Sequence, residues 1–115
     1  MKTIFHLTNC NTCQRIIKEL NPGPEFVMQD IKKDPLTVAQ LETLKNLAGS
    51  YEALFSRRAK LYRERGLNNE QLTEAIYREL LLEHYTFLQR PVVVNNDQIF
   101  VGSSKKTVAA AKASL

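Results

Sequence analysis

Short β-branched and aromatic runs mark the two ends of the chain, and apolar residues three and four apart mark its middle. Thr3-Ile4-Phe5-His6-Leu7-Thr8 stops at the polar run Asn9 to Thr12, which predicts a strand running into a tight loop. From Cys13 to Leu20 the apolar residues Ile16, Ile17 and Leu20 share one helical face, and Asn21-Pro22-Gly23-Pro24 ends that helix. Glu25 to Ile31 reads as a second strand, parallel to the first, completing a βαβ unit. After Asp34-Pro35, Val38, Leu41, Leu44, Leu47 and Ala48 recur at helical steps up to Gly49-Ser50. A shorter helical piece over Tyr51 to Phe55 leads into a basic segment that closes at Gly66. Asn68, with Gln71 three residues on, is the expected cap of a longer helix carrying Leu72, Ala75, Ile76, Leu80 and Tyr85 on its buried side. Val92-Val93-Val94, a turn at Asn95-Asn96-Asp97 and Gln98 to Val101 make a hairpin pattern. Gly102-Ser103-Ser104 then precedes an Ala-rich terminal helix containing Val108 and Leu115.

The order βαβ, helices, ββα predicts a small α/β fold. At 115 residues one domain, 1–115, is expected. Four Gly, four Pro, 43% hydrophobic residues and no visible repeat argue against disorder and solenoids. The start lacks the layout of a secretory signal and no segment approaches the apolar length of a membrane span, so the expected location is the cytoplasm, with no membrane partner. Charge adds one local feature. Residues 57–65 hold Arg57, Arg58, Lys60, Arg63 and Arg65 against Glu64 alone, a net +4, while the rest of the chain balances eleven basic against eleven acidic residues. Such a segment either binds an oxyanion, an acidic protein or a phosphate backbone, or is a solvated helix face. Tyr51, Phe55 and Tyr62 near it have the spacing of helix packing as much as of a stacking platform, so direct nucleic-acid binding is not expected. A monomer is expected.

The candidate chemistry lies in Cys10-Asn11-Thr12-Cys13, after a strand and before a helix, which is a thioredoxin-like redox pattern. The nucleophile is the thiolate, and a free cysteine is only about 3% ionised at pH 7. A cysteine just ahead of a helix meets unpaired N–H groups and the positive end of the dipole, both of which stabilise the anion. Cys10 occupies that place and is the expected nucleophile. Cys13, about a turn into the helix, is better placed to resolve. Zinc is not expected, since a structural site takes four ligands and the chain has two Cys and two His in all. His84, within a helical stretch, reads as solvated. His6, an even number of residues from Cys10, either faces the thiol or is a hydrogen-bonded strand histidine. Arg15 either faces the same loop or is a surface cation. Arg90-Pro91 stands directly before the third strand, where no ladder donor is needed.

Taken in order, Ile4-Phe5-His6, Cys10-Asn11-Thr12-Cys13, Ser56-Arg57-Arg58-Ala59-Lys60-Leu61-Tyr62, Gln89-Arg90-Pro91-Val92-Val93-Val94 and Phe100-Val101-Gly102 resemble the family of glutaredoxin-coupled arsenate reductases and Spx-type regulators over nearly the full length. The resemblance implies a thioredoxin-like, glutaredoxin-type fold whose mixed four-stranded sheet is interrupted by a helical insertion at about 35–88. It also implies a cis Pro91 beside the cysteine loop. In the arsenate reductases, the cysteine matching Cys10 attacks arsenate, and glutathione with glutaredoxin completes the reduction. By position Arg90, Arg58 and less directly Arg57 match the arginines that hold the oxyanion, and His6 matches the histidine four residues before the cysteine. The expected function is therefore a thiol-dependent oxidoreductase with no bound cofactor. It would act on a small oxyanion or disulfide, with glutathione and glutaredoxin or thioredoxin as electron donor. Where arsenate reductases place Arg-Pro after the last strand, this chain has Val101-Gly102-Ser103-Ser104-Lys105-Lys106. That ending and the Cys-x-x-Cys pair look closer to Spx-type regulators. For those the resemblance implies a Cys10-Cys13 disulfide switch and the RNA polymerase α subunit as partner.

Overall fold

The computed structural model describes all 115 residues. They divide into two compact units, one of residues 1–35 with 90–115 and one of residues 36–89.

The first unit is a four-stranded sheet with two helices. Its strands are β1 (Lys2–His6), β2 (Val27–Asp30), β3 (Val92–Asn95) and β4 (Gln98–Val101), in the order β2-β1-β3-β4. β1 runs parallel to β2 and antiparallel to β3, which pairs antiparallel with β4. β1 and β3 are central, and their residues Ile4, Phe5, Val92, Val93 and Val94 are almost wholly buried. Val27 and Met28 of the edge strand are exposed. The helices are α1 (Asn11–Leu20) and, at the C-terminus, the helix Lys105–Ser114. Ile16 and Leu20 pack with Ile4, Phe26, Val93, Val108 and Ala111, so both helices cover one face of the sheet. Leu115 lies past the last turn and is exposed, and the buried residues of the terminal helix are Val108 and Ala111.

Register decides where the chemistry sits. Phe5 pairs with Val92 and Val92 with Val101, so the end of β1, the start of β3 and the end of β4 meet at one end of the sheet. The hairpin between β3 and β4 turns on two residues, Asn96 and Asp97, with Asn95 inside the strand. Asn96 adopts φ 58°, a left-handed conformation that Asn tolerates.

The second unit contains α2 (Val38–Ala48), α3 (Lys60–Glu64) and α4 (Glu74–Glu83), joined through 3-10 turns at Glu52–Leu54, Leu67–Asn69 and Tyr85–Phe87. α2 opens with a capping box between Thr37 and Gln40 and closes at Gly49, whose φ of 100° suits glycine. Leu41, Leu44, Leu54, Phe55, Tyr77, Leu80, Leu81 and Phe87 are buried. Phe55 stacks on Phe87 at 5.3 Å between centroids and meets Tyr77 edge-on at 4.9 Å. The long helix starts later than expected. Gly66 at φ 68° ends α3, Asn68 falls within a 3-10 turn that buries Leu67, and Thr73 caps α4. The buried face shifts with it, to Tyr77, Leu80 and Leu81, while Ala75 and Ile76 face solvent.

Candidate active site

Cys10 is the N-cap of α1, with extended backbone at φ −96° and ψ 110°, and its Sγ accepts the Cys13 N–H at 3.4 Å. The helix therefore starts two residues before the apolar pattern does. The first turn of α1 contains no acidic residue, so nothing there competes with an anion for the free N–H groups. The loop from β1 to Cys10 is tightly tied. The Leu7 carbonyl accepts the Cys10 N–H at 3.2 Å and the Gln14 side-chain amide at 3.0 Å. Both cysteines are thiols in this structure; Cys10 is half-buried and Cys13 buried.

The two sulfurs are driven apart in acidity. Partial burial pushes the Cys10 thiol up. The Cys13 N–H, the Cys13 thiol, the positive charge of Arg90 and the Thr12 N–H together outweigh it and hold the group below the ordinary range. Burial pushes the Cys13 thiol up to about 11, and its hydrogen bond to the neighbouring Cys10 sulfur adds to the rise. One attacking sulfur and one proton-bearing sulfur one turn on can pass a disulfide between them.

The Arg90–Pro91 bond is cis, the isomer the resemblance implies. The Pro91 carbonyl accepts the Gly102 N–H at 2.9 Å, fastening the end of β4 to the start of β3; Gly102 has φ 94°, which only glycine adopts readily. Arg90 stands next to that proline and acts on the sulfurs through its charge. His6 is buried at the end of β1 with its Nδ1 lacking a hydrogen-bond partner, and the strongest influences on Cys10 come from its own helix and Arg90 rather than from His6. Arg15, on α1, is exposed.

Arg57 and Arg58 belong to the 36–89 unit. The Arg57 guanidinium donates to the Glu52 carboxylate at 2.6 Å and to the Tyr77 hydroxyl at 2.9 Å, so it is already engaged within that unit. Arg58 is exposed. The basic segment is largely neutralised: besides Arg57 with Glu52, Lys60 lies 3.9 Å from Glu64 and Arg65 pairs with Glu83. His84, expected to be solvated in a helix, is half-buried at the end of α4. Its Nδ1 accepts the Thr86 N–H at 3.1 Å and its ring stacks on Tyr85. No three His, Cys, Asp or Glu side chains gather where a metal ion could be held.

Sequence reasoning missed Asp30, at the end of β2. Its Oδ2 accepts both the N–H and the hydroxyl of Thr8, and its Oδ1 accepts the N–H groups of Lys32 and Lys33 at 2.9 and 3.3 Å. The Thr8 hydroxyl above all, with the three N–H groups, holds this carboxyl far below the usual range against the opposing effect of desolvation. An Asp followed by two residues in a turn is a local signal. Its reach to Thr8, 22 residues earlier, shows only once β1 and β2 are in register.

A mixed four-stranded sheet with a cysteine capping its first helix and a cis proline opening its third strand defines a thioredoxin-like protein. The pattern of the ArsC family matches residues 5–111, and the chain belongs to that family. It is 25% identical over 108 residues to an arsenate reductase of Haemophilus influenzae, with 91% of this chain and 93% of that protein covered. It is 23% identical over 111 residues to the global transcriptional regulator Spx of Bacillus subtilis, with 94% and 84% covered. An arsenate reductase structure from Vibrio cholerae has the same fold, with a TM-score of 0.79 at 24% identity over 96% of each chain. No helix is long and apolar enough to cross a membrane.

Proposed function

We propose that this chain is a thiol-dependent oxidoreductase whose nucleophile is Cys10. The observation that carries the reading is the capping geometry of Cys10, with the Cys13 N–H on its sulfur and the charge of Arg90 favouring its anion. Membership of the ArsC family and the arsenate reductase relative support the same class. The Cys10 thiolate attacks one sulfur of a substrate disulfide, forming a mixed disulfide and releasing the other sulfur as a thiolate. Cys13 then gives up its proton and attacks the Cys10 sulfur, forming the Cys10-Cys13 disulfide and releasing the second thiolate. The substrate gains two electrons and the cysteine pair loses two. Glutathione with glutaredoxin, or thioredoxin, returns them. With arsenate as substrate, the Cys10 thiolate bonds to arsenic as a protonated oxygen leaves as water, and the Arg90 guanidinium holds the remaining oxygens through paired hydrogen bonds. A glutathione thiolate then attacks the Cys10 sulfur, the S–As bond breaks with its electron pair left on arsenic, and arsenite departs, leaving a Cys10–glutathione disulfide for glutaredoxin to reduce.

The test is turnover of purified protein with arsenate, glutathione and glutaredoxin, run beside a small disulfide substrate. Cys10→Ser should abolish thiol-dependent turnover of whichever substrate reacts, and Cys13→Ser should only slow it. Equal activity of the Cys10 variant removes the mechanism.

A second reading, a redox-switched regulator, is favoured by the Spx relatives and by the burial of Cys13 within a turn of Cys10. Its partner would be the RNA polymerase α subunit, retained in a pull-down by the oxidised protein and not by the reduced one. Equal retention in both states counts against it.

A further inference from the structure

The segment Leu7 to Cys10 carries the nucleophile from the sheet to the helix, and Thr8 and Asn9 within it are exposed. Its ends are held by its own neighbours, through the Leu7 carbonyl. Its middle is held from a different segment of chain. Thr8 donates both its N–H, at 3.0 Å, and its hydroxyl to a single oxygen of Asp30. The other oxygen of that carboxylate takes the N–H groups of Lys32 and Lys33 from the turn after β2. Asp30 is itself fixed by register opposite His6, and the next N–H, of Ile31, donates to the His6 carbonyl at 3.0 Å. Four donors converge on one carboxylate and all come from the chain, so this group is a brace rather than a free base.

What the brace controls is the approach of the Cys10 sulfur to the start of α1. The Cys13 N–H reaches Sγ at 3.4 Å, an ordinary separation for a sulfur acceptor, and such a contact weakens with displacement or misalignment. A loop released at Thr8 is free to turn the Cys10 side chain away from that N–H and from the charge of Arg90. The charged and titratable groups that act on the sulfur are Cys13 on α1 and Arg90 ahead of β3, and the brace touches neither.

We infer that Asp30 is a positioning residue for Cys10: through Thr8 it holds the cysteine loop so that the sulfur sits against the first N–H groups of α1. The inference rests on the reading of Cys10 as the nucleophile. Loss of such alignment has large kinetic effects, since displacement of a reacting group by about 1 Å can cost on the order of 100-fold.

The experiment measures iodoacetamide alkylation of Cys10 against pH in Cys13→Ala backgrounds, so that a single thiol reports, and it needs no substrate. Asp30→Ala should slow alkylation at pH 7 by about tenfold and move the midpoint of the profile upward. Thr8→Val, which removes one donor on the exposed side of the brace, should move it less in the same direction, and Thr8→Ser should restore it. Asp30→Asn, with one acceptor left, should fall between wild type and Asp30→Ala. Amide exchange of Thr8 should quicken in the same order. Thr8→Val keeps the question answerable if Asp30→Ala does not fold. An acidic Cys10 whose profile is indifferent to both Asp30→Ala and Thr8→Val overturns the role of Asp30 and leaves the nucleophile reading standing. A Cys10 in the unmutated Cys13→Ala background that alkylates like a free thiol overturns both.

Discussion

Cys10 and Cys13 share a helix turn and differ in what surrounds them. Arg90 is the one influence on Cys10 that comes from outside its own helix start, and it can be isolated. Arg90→Gln removes a cation that favours the thiolate, so the alkylation profile of Cys10 should move to higher pH and the rate at pH 7 should drop severalfold. Arg90→Lys keeps the charge and should retain most of the rate. A profile that ignores Arg90→Gln would show that the helix start alone sets the acidity. At this scale the sequence was informative where chemistry is local. The capping place of Cys10 could be read from a Cys-x-x-Cys pair between a strand and a helix, because the N–H groups that meet its sulfur belong to the next residues. It was silent where partners are distant: Asp30 with Thr8, and Arg57 with Tyr77, are 22 and 20 residues apart. The same silence hid the contacts of Arg57, whose guanidinium donates to Glu52 and to Tyr77.

The elements that carry the cysteine loop were legible from period and punctuation, because β1, α1 and the β3-β4 hairpin are bounded by Pro, Gly and Asn. α4 was misplaced because Asn68 and Thr73 are both acceptable caps and local pattern does not choose between them. Tertiary structure chooses. The carboxylate of Glu74, at the first position of α4, accepts the Tyr51 and Glu52 N–H groups at 2.7 and 3.0 Å, tying the start of α4 to the 3-10 turn after α2. A start at Asn68 would instead take Leu67 out of the turn that buries it. The caps then have different weights. Thr37→Ala, which breaks a reciprocal capping box with bonds of 3.0 and 3.1 Å, should cost about 1 kcal/mol. Thr73→Ala loses a longer bond of 3.4 Å and should cost about half as much, and Asn68→Ala should change stability by less than about 0.5 kcal/mol. Urea midpoints at constant slope order the three. A cost for Asn68→Ala equal to that of Thr37→Ala would return the cap to Asn68.

For the whole chain, folding redistributes a charge that the linear sequence concentrates. The excess of +4 resides on paper in residues 57–65, yet the 36–89 unit holds seven basic and seven acidic residues and is neutral. The unit containing Cys10 holds nine basic against five acidic, so the net positive charge accompanies the cysteines. Global stability responds to those cysteines as well, with opposite signs. Cys10 in the folded chain loses its proton at lower pH than in the unfolded chain, where a free thiol titrates near about 8.5. Between the two values the unfolded state binds more protons, so stability rises with pH, and the gain is complete above about 8.5. Cys13 behaves inversely. From about 8.5 to about 11 the folded chain keeps a proton that the unfolded chain has released, so this contribution falls as pH rises. The reduced protein, unfolded by urea at a series of pH values in the presence of a phosphine reductant, should therefore differ from each cysteine variant in a distinct way. Relative to Cys10→Ser, wild type should gain stability as pH rises toward about 8.5. Relative to Cys13→Ala, it should lose stability above that point. A flat wild-type minus Cys10→Ser difference would mean that the folded chain does nothing for the thiolate, and the oxidoreductase reading would lose the asymmetry on which attack by one sulfur and resolution by the other depends.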